Sequence, residues 1–162
     1  MQHSLVFKVL DVLSDGKFHS GESIAKTFDI SRVSIWNAIK KAEEFGVEIY
    51  SVRGRGYKLI QPITLLKKSS IQNVMGEIHH WFNMEIFDVM ESTNSYLMER
   101  ASLDHPHASV AVTHIQTKGR GRRGRSWQSA LGESLTFSLL WRFNGGAATL
   151  SGLSLAVGIA LI

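Results

Sequence analysis

Apolar residues recur at helical spacing from the start of the chain. Leu5, Val9 and Val12, with Val6, Leu10 and Leu13 beside them, predict an amphipathic helix that stops near Ser14-Asp15-Gly16, where glycine accepts a left-handed cap. Ser20 suits the N-cap of a second helix, with Glu22 in its first turn, Ile24, Ala25 and Phe28 on its apolar face, and an end near Asp29. After a short turn, Ser31 caps a third helix. There Ile35, Ile39 and Ala42 are expected to bury one side together with Trp36, while Ser34, Asn37 and Lys41 share another face with Lys40 near it. Gly46 ends this helix. Residues 47–52 read as a strand, Arg53-Gly54-Arg55-Gly56 as a turn, and residues 57–60 as the partner strand. Helix, helix, short turn, helix and hairpin together predict a winged helix-turn-helix.

Gln61-Pro62 breaks the hairpin, so the expected division is a DNA-binding unit over residues 1–62, a linker over 63–70 and a second unit over 71–162. In the second unit Ile71, Val74 and Ile78 have helical spacing. Residues 84–90 form an apolar strand interrupted by Glu85 and Asp88, and Ser92 or Thr93 caps a helix carrying Tyr96, Leu97 and Ala101. Residues 109–116 are a strand, a basic glycine loop runs from 117 to about 133, and residues 135–142 are a strongly apolar strand. A loop joining two strands directly favours a mixed sheet over a purely parallel one. The expected class is α/β of the α+β type.

Residues 144–162 hold 19 positions without a charge, and 9 of the 13 from Leu150 onward are apolar. Glycine and serine dilute the segment, which reads as a core helix rather than a membrane anchor, and the chain as a piece cut within a domain. No signal segment or membrane span is expected, and zero cysteines exclude a disulfide scaffold and thiolate chemistry, so the cytoplasm is the expected compartment.

The placement of charge sharpens the picture. Lys118, Arg120, Arg122, Arg123 and Arg125 crowd into residues 117–125, and without them 13 basic residues face 14 acidic ones. One dense cationic loop on a nearly neutral chain points to a localised anionic partner. Gly119, Gly121 and Gly124 match the spacing of a dinucleotide-binding fingerprint, but a strand rather than a helix follows, with no acid placed for a ribose. A Walker loop fails too, for want of Gly-Lys-Ser/Thr. What remains is a flexible backbone with guanidinium groups able to neutralise a triphosphate, hold an acyl-adenylate or bind RNA nonspecifically.

Other candidates are weaker alone. Ser92-Thr93-Asn94 puts hydroxyl and amide groups at a helix N-terminus, for a ligand or simply as a cap. Gln116 at a strand end and Trp127 beyond the loop add a polar contact and a stacking face. Ser34, Asn37, Lys40 and Lys41 are placed for a DNA major groove, Arg32 for the start of the same helix, and Arg53 and Arg55 for phosphates or the minor groove. A solvated helix face and a charged turn are the plainer alternative. His79-His80 and His105-Pro106-His107 lack a third ligand nearby, so no metal site is expected.

Taken in order, the winged helix, Glu91-Ser92-Thr93-Asn94, Gln116, the Gly-Arg-Gly-Arg-Arg-Gly run at 119–124, Arg125 and Trp127 resemble bacterial biotin protein ligases of the bifunctional class that also repress the biotin operon. The resemblance implies a mixed-sheet, class II synthetase-like catalytic domain after the winged helix. It implies that biotin and MgATP form biotinoyl-5'-AMP, whose biotinyl group passes to a lysine of the biotin carboxyl carrier protein of acetyl-CoA carboxylase. It places biotin against Ser92, Thr93, Asn94, Gln116, Gly119, Arg120 and Arg122, the adenylate against Gly121, Arg123, Gly124, Arg125 and Trp127, and catalysis on Arg120 and Arg122. It also implies an adenylate-bound homodimer on operator DNA, and a Lys-Trp-Pro-Asn-Asp segment that is absent from these residues, so the 162-residue chain is expected not to ligate. Two competing readings are a winged-helix regulator with another anionic effector, and an RNA-binding protein.

Overall fold

A computed structural model describes residues 4–121, 123, 125, 127, 129–146 and 150–160. Three helices open the chain: α1 (Leu5–Leu13), α2 (Gly21–Phe28) and α3 (Arg32–Glu44). Their starts are set by serine side chains. Ser20 Oγ accepts from the Ser23 amide at 3.0 Å, and Ser31 Oγ from the Ser34 amide at 3.1 Å. Asp29 leaves α2 in the left-handed region, φ 53°, and Ile30 N–H reaches back to the Ala25 carbonyl at 3.0 Å, closing the helix end.

β1 (Ile49–Val52) pairs antiparallel with β2 (Gly56–Leu59), Ile49 opposite Leu59 and Val52 opposite Gly56. His19 adds a third short rung, since its N–H donates to the Tyr57 carbonyl at 2.9 Å and Tyr57 N–H donates back at 2.8 Å. Gly56 makes that approach possible. Its φ is 97°, and a Cβ there would sit 2.0 Å from the His19 carbonyl oxygen.

The core of this half joins Phe7, Val9, Leu10 and Leu13 to Ile24, Ile35, Ala38, Ile39, Ala42 and Leu59. The inward stripe of α3 is Ile35, Ala38, Ile39 and Ala42, the i, i+3, i+4, i+7 set of one helix face. Trp36 falls outside it. The expectation that Trp36 is buried is therefore wrong, because small Ala38 takes the inner position and turns the indole outward.

The second half contains α4 (Lys68–Met75), a 3-10 turn (Gly76–Trp81), β3 (Asn83–Met90), α5 (Thr93–Ala101), β4 (Ser109–Gln116), β5 (Thr136–Leu140) and α6 (Leu153–Ala160). The sheet order is β3-β4-β5. β3 and β4 run parallel, Asn83 opposite Ser109 and Met90 opposite Gln116, as a crossover through α5 requires. β5 returns antiparallel, with Thr113 opposite Thr136. The sheet is thus mixed, as the strand-to-strand loop implied.

Two helices differ from expectation. α4 buries no residue, and Val74 and Ile78 of the predicted stripe are exposed because no described element covers that side. α6 was expected in a core, yet all its residues are exposed, again without a described layer over it. Among the described residues, no helix is long and apolar enough to cross a membrane.

The two halves share apolar contacts. Leu131 lies in the core of the winged helix, Ile63, Leu65 and Ile115 pack against that core, and the Phe7 ring stacks on His114 with centroids 5.0 Å apart. Lys67 pairs with Asp11 at 2.7 Å.

Candidate functional site

Parallel pairing brings the ends of β3 and β4 together, so the start of α5 and the start of the basic loop meet at one edge of the sheet. Ser92 caps α5, accepting from the Ser95 amide at 3.3 Å, which settles the choice between Ser92 and Thr93. Thr93 is buried. Its amide and hydroxyl both donate to Gln116 Oε1, at 2.7 and 3.1 Å, and its Oγ1 lies 2.8 Å from Ser138 Oγ. These contacts occupy the carboxamide oxygen of Gln116 and leave its NH2 group as the remaining donor.

The loop is fastened at its root. Thr117 N–H donates to the Met90 carbonyl at 2.9 Å, Lys118 N–H to the Glu91 carbonyl at 2.8 Å, and Lys118 Nζ pairs with Glu91 at 2.6 Å. The Trp127 amide then donates to the Gly119 carbonyl at 3.0 Å, and the Gly121 amide to the Arg125 carbonyl at 2.7 Å, folding the loop back on itself. Glycine at 119 is a packing requirement, since a Cβ would lie 2.9 Å from Gln116 Nε2 and 3.0 Å from Trp127 Cβ.

These elements enclose a cavity of about 330 Å³. Ser92, Thr93, Asn94, Gln116, Arg120 and Trp127 line it, together with Leu135, Thr136, Phe137 and Ser138 from β5 and the residue before it. The first six are residues picked from the sequence. The last four were missed, although strand alternation could have flagged Thr136 and Ser138 as sharing one face. Gly119 sits behind the cavity, against Gln116 and Trp127. Arg123, with φ 58°, and Arg125 are exposed and do not line it, nor does Gly121. Arg122 and Gly124 lie outside the described residues.

Further along α5, Tyr96 donates to Glu85 of β3 at 2.9 Å and its ring carries the Arg100 guanidinium 3.9 Å above it. Burial raises the Tyr96 hydroxyl above its ordinary value, and the bond to Glu85 reinforces the shift.

On the winged helix, Arg32, Asn37, Lys40, Lys41, Arg53 and Arg55 are exposed. Lys40 pairs with Glu43 at 2.7 Å, Lys41 with Glu44 at 2.6 Å, and Arg55 lies 4.5 Å from the Phe18 ring centroid. Ser34 is half-buried and its hydroxyl lies 2.9 Å from that of Ser31, so it belongs to the helix cap more than to the outer face.

A three-helix unit with a hairpin wing, followed by a mixed sheet with a cavity at its edge that Arg120 helps to line, defines a winged helix-turn-helix joined to a mixed α/β domain. Residues 6–58 match the model described as an HTH domain, and residues 86–162 match that of the biotin/lipoate A/B protein ligase family. The chain belongs to the biotin/lipoate A/B protein ligase family, in its form that carries an N-terminal helix-turn-helix. It is 35% identical over 159 residues to the bifunctional ligase/repressor BirA of Escherichia coli, covering 98% of this chain and 48% of that protein. It is 37% identical over 153 residues to the Salmonella typhimurium protein of the same name, covering 94% and 46%. With the Bacillus subtilis protein of that name it shares 34% identity over 133 residues, covering 78% and 39%. The chain spans about half the length of the curated relatives it matches.

Proposed function

We propose that the chain is the DNA-binding and biotin-recognising portion of a bifunctional biotin ligase and biotin-operon repressor. The observation that carries this reading is the cavity where Gln116, the start of α5, Arg120 and Trp127 meet. It has the mixture a bicyclic ureido acid needs: amide and hydroxyl groups at one end, an aromatic and an aliphatic wall, and a cation for the carboxylate. With Gln116 Oε1 held by Thr93, its NH2 group donates to the ureido oxygen, and Ser92 and Asn94 border the same head group.

The reaction begins when a biotin carboxylate oxygen attacks the α-phosphorus of ATP and pyrophosphate leaves. Two anions must approach, so fixed guanidinium charge from Arg120, and from Arg122 in the same loop, lowers their repulsion and stabilises the charge that develops. Gly119 and Gly121, with Gly124, let the loop fold over the adenylate, where Arg123, Arg125 and Trp127 face its phosphate and base. Closure excludes water from the mixed anhydride. A lysine amine of the biotin carboxyl carrier protein then attacks the acyl carbon and AMP departs. Mg2+ enters with ATP. Among the described residues no three metal-ligating side chains lie together.

In the same proposal the adenylate-loaded protein dimerises in the cytoplasm and sets two winged helices on two operator half-sites. Arg32, Asn37, Lys40 and Lys41 face the groove, with Arg53 and Arg55 on the wing. Calorimetry on the protein in its natural length tests the reading: it binds biotin, and binds biotinoyl-5'-AMP more tightly. Absence of heat with both ligands refutes it. Binding of another anionic metabolite instead supports the regulator alternative.

A further inference from the structure

The outward turn of Trp36 changes what α3 presents to DNA. Trp36 is 51% exposed and Val33 66%, and at i, i+3 they form one apolar strip on the helix expected to enter the major groove. Neither residue belongs to the core of this half or to the side chains packed against it. The strip lines a cleft of about 790 Å³ between α3 and the wing, which it shares with Val52 of β1, Arg32 and Arg53. Glu22 is the acidic residue of that lining. Cations border an apolar floor. That composition fits a duplex, whose phosphates meet the arginines while its base edges meet the strip.

In the major groove the apolar feature of a base edge is the thymine 5-methyl group. Lys40 and Lys41 are each engaged by a glutamate one turn on, and Ser34 is engaged by Ser31, so three of the polar groups assigned to base reading already have partners. Trp36 and Val33 have none. We propose that Trp36 and Val33 are specificity-determining residues that read thymine methyl groups in the bound DNA, with Arg32 and Arg53 holding the flanking phosphates. The inference rests on the DNA-binding reading above and deepens it.

The test begins with duplexes enriched from a randomised pool by the protein in its natural length, with biotin and MgATP present. Each thymine of the enriched duplex is then replaced by uracil, which removes the methyl group alone, and binding is measured by fluorescence anisotropy at fixed salt. Loss of one buried methyl weakens binding about fourfold, on the scale of a buried CH2. Trp36→Ala weakens the thymine duplex about tenfold through lost contact area and also erases the uracil penalty, so the two changes are non-additive. Trp36→Phe keeps a penalty. Val33→Ala, at an exposed position, gives a smaller loss of the same kind if Trp36→Ala melts early. Uracil without effect at every position, or an unchanged penalty in both alanine variants, overturns methyl reading and leaves DNA binding standing. Failure to enrich any sequence overturns the DNA reading beneath it.

Discussion

Gly56 and Gly54 lie two residues apart in the wing and both have positive φ, 97° and 80°, yet they predict different outcomes on substitution. Nothing lies within 4 Å of a Cβ built at Gly54, whereas one at Gly56 meets the His19 carbonyl oxygen at 2.0 Å and Ser20 Cα at 2.7 Å. Alanine at 54 therefore suffers only the left-handed conformation, about 1 kcal/mol. Alanine at 56 suffers the same strain and pushes His19 off Tyr57, losing two hydrogen bonds of roughly 1 kcal/mol each, for a total of about 3 kcal/mol. In a chain of this length about 1 kcal/mol shifts Tm by roughly 2 to 4 °C, so Gly54→Ala should cost that much and Gly56→Ala about 6 to 12 °C. Circular dichroism melts of the two variants against the parent measure the difference. Equal shifts would refute the reasoning, because they would mean that backbone collision at His19 contributes nothing beyond φ strain.

Three further outcomes follow from described contacts. Gly119→Ala forces Gln116 Nε2 and Trp127 apart, and should weaken biotin binding by about tenfold in calorimetry, the equivalent of one displaced hydrogen bond, with little change in Tm. Phe7→Ala empties a fully buried site that also stacks on His114, and should cost about 3 to 5 kcal/mol in urea unfolding. The raised Tyr96 favours the protonated folded state, so its stabilising contribution is whole below the ordinary value of about 10 and falls as pH climbs above it. Stability measured across that alkaline range should decline less steeply in Tyr96→Phe.

Local chemistry was the legible part of this sequence. Ser20 and Ser31 announce their helices because a hydroxyl at that position has one evident task, and the Arg-Gly-Arg-Gly turn between two β-branched runs announces the wing. The mixed sheet followed from a loop joining two strands. Facing was harder to read. Trp36 looks like a core residue by hydrophobicity, but the choice between it and Ala38 depends on how closely α3 approaches its neighbours. Val74 and the α6 residues look buried for the same reason, although no described element covers them. In the cavity, Gln116 and the Ser-Thr-Asn run stood out by chemistry, while Thr136 and Ser138 enter only through the register of β5 against β4. The unequal placement of the arginines also escapes the sequence, since a run of like charges gives no hint that Arg120 lines the cavity while Arg123 and Arg125 do not.

Leu131 belongs to the ligase half by chain position and to the other half by packing, since it sits in the winged-helix core. Excising residues 1–62 as a stand-alone reagent therefore opens a void in the DNA-binding piece and strands a bare leucine on the excised remainder. Any footprint or titration made on separated pieces reports on two damaged surfaces, and a graft of this winged helix onto a foreign partner should bring its own plug for that hole.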